Sequence, residues 1–256
     1  MRTITFILAL LLGTLQALFH AEASEKPDTI STRVEARELI VPAAVIAAGT
    51  TMASIPWWRT NVDKEIERGI GSTRRWSVAG YVEWLPFATL LAAEYLGAGS
   101  NAGICDRAML AATSFVILEA VTQPVKRIAG RMRPDGSDNH SFPSGHTATA
   151  FAGAELTRMV YGNALGAGAY AVAAGVAAMR MAGRHHYLSD CVAGAGIGIM
   201  SARVAAWLLP LERRLLRLDR YRHNNLRSET SVVPAEISLI PAVSAHGATA
   251  TLFLTF

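Results

Sequence analysis

From residue 38 to residue 209 the chain repeats one pattern, an apolar run followed by a short polar break. Six runs of 16 to 20 residues fall at 38–56, 80–98, 106–123, 146–161, 164–182 and 190–209. Each approaches the ~20 residues that a helix needs to cross the hydrocarbon core of a bilayer. Nothing reads as a strand until the segment from Ser231 to Phe256, where β-branched alternation around Gly247 predicts a hairpin or an extended tail. The predicted fold class is therefore all-α: a six-helix membrane-embedded bundle with a short C-terminal β-like tail.

Two details of the pattern favour lipid. The later runs are crowded with small residues, as in GNALGAGAYAVAAGVAAM and CVAGAGIGIMSA, which let helix backbones approach closely inside a membrane. Trp57, Trp58, Trp76 and Trp84 flank the first two runs, where an interfacial aromatic belt would stand. Against this, Glu83, Glu94, Glu119 and Glu155 interrupt the runs, so a soluble helical bundle is the competing architecture.

The first 23 residues form a separate element. Arg2, an apolar stretch from Ile4 to Leu12 and the sequence Ala21-Glu22-Ala23 have the layout of an export signal, predicting cleavage after Ala23 and action in the cell envelope. A basic amphipathic stretch, ERRLLRLDRYRHNNLR, follows the last run and suits an anionic membrane surface. Read by its basic residues, it puts the 182–190 loop outside the cytoplasm; a cleaved signal followed by six spans puts that loop inside. The conflict disappears if the first run lies in the interface or re-enters rather than crossing, and the outward-facing reading is adopted.

Composition adds little to this outline. Of 256 residues, 51% are hydrophobic and 17% charged, with a mean hydropathy of +0.27. The net charge of +4 and pI of about 9.3 come from basic residues gathered in the polar breaks, which points to anionic lipid or phosphate rather than nucleic acid. Cys105 opens the third run and Cys191 the sixth. Lys126 lies 21 residues beyond Cys105, ~30 Å along a helix at ~1.5 Å per residue, so the thiols are expected free and at opposite ends of the bundle.

The chemistry is concentrated in three polar breaks. The first is Lys126-Arg127-Ile128-Ala129-Gly130-Arg131-Met132-Arg133-Pro134, after the third run; the second is Pro143-Ser144-Gly145-His146, opening the fourth. The third, from Arg180 to Asp190, joins the fifth and sixth. In an antiparallel bundle all three meet at one end. Lys126, Arg133 and Arg180 then bring three cations together, and a phosphate dianion is their natural partner. Ser144 and Gly145 precede a helix whose free N–H groups favour an anion, with Gly145 offering no Cβ obstruction. His186 and Asp190 are four apart, so on a helix the carboxylate orients the imidazole and leaves one nitrogen free as a nucleophile. His146 is placed to act as general acid. Two imidazoles around one cationic cradle describe phosphomonoester hydrolysis through a phosphohistidine, with no metal and no cofactor required.

These residues resemble the type 2 phosphatidic acid phosphatase superfamily, whose signature is K-x6-R-P, then P-S-G-H, then S-R-x5-H-x3-D. The superfamily also contains bacterial class A acid phosphatases and vanadium haloperoxidases. Lys126 to Pro134, Pro143 to His146, and Arg180 to His186 to Asp190 keep its spacing; Met179 stands where the pattern has Ser. The stretch RPDGSDNHSFPSGHTATAF looks most like lipid phosphatases of the Bacteroides group, some of which remove phosphate from lipid A. The resemblance implies a helical bundle with His186 as nucleophile and His146 as acid.

Singly, each residue has a plainer use. Lys126 and Arg133 serve as membrane anchors, His146 as a capping residue, and Arg180 as a snorkelling side chain. Together, at matched spacing, they outweigh those uses. His185 is expected to line the pocket, Arg127, Arg131 and Arg184 to meet a headgroup or water, Glu119 to sit in a structural ion pair or hydrogen bond, and Asp138 and His140 to face water.

The domain plan is a signal peptide at 1–23, a helical phosphatase domain at 24–227 and a tail at 228–256. The expected function is a bacterial inner-membrane lipid phosphatase with a periplasm-facing site. It uses an anionic lipid phosphate as substrate and the membrane as partner, without nucleic acid. Lipid A is the first substrate considered, then undecaprenyl pyrophosphate or phosphatidylglycerol phosphate. The alternatives are a soluble exported acid phosphatase, a vanadate-dependent haloperoxidase and a catalytically silent envelope lipid-binding protein.

Overall fold

The computed structural model describes residues 36–70, 79–216, 236–244 and 247–255. The signal-peptide reading, Trp76 and most of the basic stretch after residue 216 lie outside these residues. The chain divides into two compact units, Met1–Pro210 and Leu211–Phe256.

Within the first unit the structure is helical. Helix α1 runs over Ala36–Ser54, followed by a π-helical turn Trp58–Asp63 and α2 at Lys64–Ile70. Short helices α3 (Ala79–Val82) and α4 (Leu85–Ala92) lead into a 3-10 turn at Ala93–Leu96. Four long helices follow: α5 (Ile104–Ala129), α6 (Gly145–Tyr161), α7 (Asn163–Ala182) and α8, which continues to Leu215 from Leu188. In the second unit, strands β1 (Glu236–Ser244) and β2 (Gly247–Thr255) pair antiparallel, with Glu236 opposite Thr255 and Ser244 opposite Gly247.

The six apolar runs all fall on helix, but they are not six equal spans. The run at 80–98 is broken into α3, α4 and the 3-10 turn. Among the described residues, only α7 and α8 are long and apolar enough to cross a membrane unaided. The stretch Glu38–Ser54 joins Trp58–Ile66 at a bend of 86°, the geometry of a broken span or a re-entrant loop, and would make a third. Helix α5 has the length, yet Asp106, Arg107, Glu119 and its basic last turn dilute its hydropathy.

The centre is filled by leucines and small residues. Leu90, Leu110, Leu118, Leu156, Val160, Leu165 and Leu209 are fully buried, with Ala148, Ala152, Ala202 and Ala205 among them. Small side chains let α6 and α8 touch: a Cβ on Gly198 would overlap the Ala148 carbonyl oxygen and come within 2.9 Å of the Ala152 nitrogen. Several buried charged groups are paired, while the Ser114 and Thr122 hydroxyls have no hydrogen-bond partner among the described residues. Arg107, fully buried, bonds Glu94 and the Tyr161 hydroxyl. Glu155 accepts from Arg158 at 2.8 Å and from Tyr170 at 2.6 Å, and pairs with Arg203. Large apolar side chains at Ile40, Val41, Val116 and Trp207 point outward, as lipid-facing positions do. Both cysteines are free, Cys105 exposed near the start of α5 and Cys191 buried in α8.

Candidate active site

The three polar breaks converge because the helices that carry them end together. Helix α5 stops at Gly130, whose φ of +51 lets its N–H bond back to the Lys126 carbonyl. The chain then forms a tight loop. Ser141 N–H donates to the Arg131 carbonyl at 2.9 Å, and Arg133 N–H to that of Asp138 at 3.0 Å. The Arg133 Nε also donates to the Asp138 carboxylate at 2.8 Å, so Asp138 holds the arginine in place instead of only facing water.

Helix α6 begins with Ser144 as N-cap, its hydroxyl accepting from the Thr147 N–H at 3.4 Å. The Ser144 N–H itself donates to the Asp190 carbonyl at 3.0 Å, which pins the start of α6 to the start of α8. A Cβ on Gly145 would meet the Lys126 Nζ at 3.3 Å, so the ammonium lies directly against this first helical residue. At the end of α7, the N–H groups of His185 and His186 both turn back onto the Arg180 carbonyl, at 3.1 and 3.3 Å. The bend is completed by Arg184 at φ 57.

His186 is 2% exposed, and its Nδ1 lies 2.6 Å from the Ser141 carbonyl oxygen. A carbonyl only accepts, so Nδ1 carries the hydrogen and Nε2 of the neutral ring keeps its lone pair. Burial holds the imidazole below its ordinary titration range; Asp190 opposes that shift, while Arg180 and Arg133 reinforce it. The expected direct hydrogen bond from Asp190 is absent: its Oδ2 is 3.9 Å from Nδ1, beyond hydrogen-bond reach. The physical reason is that His186 lies two residues before α8, so the i,i+4 geometry of a helix does not apply to the pair. Asp190 instead accepts from the Ser141 hydroxyl at 2.5 Å and the Tyr187 N–H at 2.9 Å. It therefore secures the residue whose carbonyl holds His186.

His146 stands in the first turn of α6, one third exposed, with Nε2 3.7 Å from a Glu83 carboxylate oxygen. His146 feels the charges of Arg180, Lys126 and Arg133 as well as that of His186. Arg180 is buried, and its Nε has no hydrogen-bond partner among the described residues. All eight positions singled out from the sequence (Lys126, Arg133, Ser144, Gly145, His146, Arg180, His186 and Asp190) are thus brought to one end of the bundle.

Other residues at this end were missed or misjudged. Arg131, expected at a headgroup or in water, is buried. It donates to Asp190 at 2.6 Å, Ser189 at 2.7 Å and Asp63 at 2.8 Å, and its guanidinium lies 4.3 Å from the centre of the Tyr187 ring. Asp63, 1% exposed, also accepts from the Ser189 hydroxyl at 2.8 Å. Only the excess of arginines in the first polar break hinted at this web; an isolated aspartate 68 residues away gave no signal. Arg131 and Tyr187 also help line a cavity of about 240 Å³ with Arg59, Thr60 and Lys64.

His185 pairs with Asp135 at 3.1 Å. Burial alone would raise the Asp135 carboxyl, but hydrogen bonds from Ser137 and the His185 ring hold it below the usual carboxylate range. Glu119 accepts a hydrogen bond from Gln123 at 2.7 Å, as the plain structural reading expected. Met179, where the motif pattern has Ser, packs beside Ala150, Ala154, Ala173 and Val176.

The comparisons with known proteins fall on this region. Residues 107–214 match the PAP2 superfamily, a segment that contains all eight positions. A stretch of 85 residues, 32% of this chain, is 40% identical to a lipid A 1-phosphatase of Porphyromonas gingivalis. That stretch covers 19% of the relative, so the chain spans about a fifth of the length of the curated protein it matches. No solved structure matches the chain.

Proposed function

We propose, with the PAP2 superfamily match of residues 107–214 as the premise, that this chain is a membrane lipid phosphatase working through a phosphohistidine. The observation that carries the reading is the buried His186, with Nδ1 committed to the Ser141 carbonyl and Nε2 left as a lone-pair nucleophile. Lys126, Arg133 and Arg180 neutralise the phosphate, and Arg180 reaches it with guanidinium donors. The N-terminal N–H groups of α6, beginning at Gly145, add partial positive charge, and the Ser144 hydroxyl adds a donor. Asp190 keeps the Ser141 carbonyl in register behind the ring.

In the first half-reaction His186 Nε2 bonds to phosphorus, the bond to the lipid oxygen breaks, and that oxygen takes the proton of His146. In the second, water gives a proton to His146 and its hydroxyl to phosphorus, and the phosphorus–nitrogen bond breaks. Free phosphate leaves and both imidazoles are restored. This chemistry takes place within the 24–227 domain, with 1–23 as export signal and 228–256 as tail. The site faces the periplasm from the bacterial inner membrane.

The preferred substrate is a phosphate of lipid A, a choice supported by the name of the Porphyromonas gingivalis relative over the matched 85 residues. Mass spectrometry of lipid A and undecaprenyl phosphates, with and without the gene, tests it. Deletion is expected to leave lipid A more highly phosphorylated; an unchanged lipid A profile would remove it as the substrate. His186→Ala is expected to abolish phosphate release from every substrate, and retained turnover would sink the mechanism.

A further inference from the structure

Among the described residues, Glu83 is the one carboxylate paired with the Nε2 of His146, and no motif includes it. It sits in the turn after α3, its N–H bonded to the Ala79 carbonyl at 3.1 Å. The residue is 8% exposed, and its Oε1 is 3.7 Å from His146 Nε2. Gly80, one turn earlier, brings the backbone of α3 over the same imidazole: a Cβ there would lie 3.9 Å from Nε2. So α3 covers His146, and what it presents to the ring is a glycine and a carboxylate.

The charges around the pair pose a difficulty that the reaction must solve. A general acid has to carry a proton before it can donate one. His146 is faced by Arg180 from the end of α7, Lys126 from the end of α5, Arg133 from the loop after α5, and His186 from the loop before α8. Every one of these is cationic or becomes so on protonation, and like charge opposes an imidazolium. Glu83 is the acidic group beside the ring: burial foremost, and Glu119 with it, favours a proton on its carboxyl, while Arg180 and Lys126 oppose one. A carboxylate in a phosphate cradle also repels the substrate dianion, so a purely structural acid here would hinder binding.

We propose that Glu83 is a positioning residue for catalysis: it shares one proton with His146 and keeps that proton beside the ring, amid the cations that bind phosphate, until the lipid oxygen takes it. The proposal rests on the reading of His146 as the general acid. In the first half-reaction the proton of His146 goes to the lipid oxygen, and in the second the proton of water returns to the ring. The Glu83–His146 pair then holds that proton for the next turnover.

The test uses the full chain in detergent with two substrates of contrasting leaving groups. Dodecyl phosphate expels an alkoxide that needs a proton; para-nitrophenyl phosphate expels a stable phenolate that scarcely does. Glu83→Gln is expected to lower kcat/KM about tenfold more on dodecyl phosphate than on para-nitrophenyl phosphate, because general acid assistance carries at least that much. The alkaline limb of its pH profile is expected at lower pH than in the parent. Glu83→Asp, which keeps the carboxyl, is expected to recover most of the discrimination, which a packing role would not produce. It also serves if the Gln variant fails to fold.

His146→Ala is the benchmark. If it discriminates between the two leaving groups and Glu83→Gln does not, the role of Glu83 is overturned while His146 stands as the acid. If His146→Ala itself shows no discrimination, both assignments fall. An alkaline limb that stays in place in Glu83→Gln also overturns the proposal.

Discussion

At His186 a backbone carbonyl, and not a carboxylate, fixes the position of the proton. The ring is nearly inaccessible, and burial lowers its affinity for a second proton below the ordinary value of 6.5. The sign follows from the proposed mechanism: with the neutral ring as the attacking species, activity is lost as pH falls through that lowered value. The acid limb of kcat/KM is expected below pH 6.5 and to be absent from any residual activity of His186→Ala; a limb at or above 6.5 would contradict the burial argument. Arg131 makes a second residue-scale case. Replacing it with Met leaves Asp63 and Asp190 buried without their cation, which costs about 3–5 kcal/mol. Thermal unfolding in detergent should show a large drop in midpoint for Arg131→Met and a smaller one for Arg131→Lys, which keeps the charge but loses the fork. A Met variant as stable as the parent would mean that the two acids find other partners. The eight motif positions were legible because their spacing is local and each break ends on a helix terminus. Asp63 and Glu83 were not, since Asp63 meets Arg131 and Ser189 at 68 and 126 residues and Glu83 meets His146 at 63, and single acids near apolar runs have many uses.

Among the elements, α6 and α8 show how small residues convert into geometry. Gly198 is in contact with the backbone of Ala148 and Ala152, and backbone cannot step aside as a side chain can. Gly198→Val is therefore expected to push α8 from α6, destabilising by about 1–3 kcal/mol or more as overpacking does. It should also lower activity, because the Ser144–Asp190 hydrogen bond joins the starts of the same two helices. Gly175, on the exposed side of α7 with nothing near its missing Cβ, is the control. Gly175→Ala is expected to be neutral or stabilising by up to ~1 kcal/mol from helix propensity. Equal effects at the two glycines would refute the packing account. The sequence displayed the abundance of small residues in α7 and α8 alike; which glycines face a neighbour depends on helix rotation, and periodicity is blurred where nearly every residue is small. The same blurring hid the break of the second run into α3, α4 and a 3-10 turn.

For the molecule as a whole, hydropathy conveyed the helical, membrane-leaning character and overcounted the equivalent spans. Length and apolarity single out α7 and α8, with the bent pair at the N-terminal side as a third. The bend of 86° falls at Ile55-Pro56-Trp57, ahead of the π-helical turn; Pro56 marks a break in the run, but nothing in the composition sets its angle. The free thiols offer a global probe. A bulky maleimide is expected to label Cys105 alone in the folded chain in detergent, and Cys191 only after denaturation. Labelling of both in the native state would show that α8 opens at its first turn.

The bond between Asp63 and Ser189 spans 126 residues, and its consequence lies in the order of synthesis. Asp63 leaves the ribosome long before Arg131, and Arg131 before Asp190. Until the last of them arrives, the acid on the bent segment has no complete set of partners and the Ser141 carbonyl has no anchor behind it. On the proposed mechanism, a half-made chain thus carries the lysine and arginines of the cradle but cannot yet orient its nucleophile. The proposed hydrolytic competence is then acquired only near the end of synthesis, when a segment made early closes onto one made late.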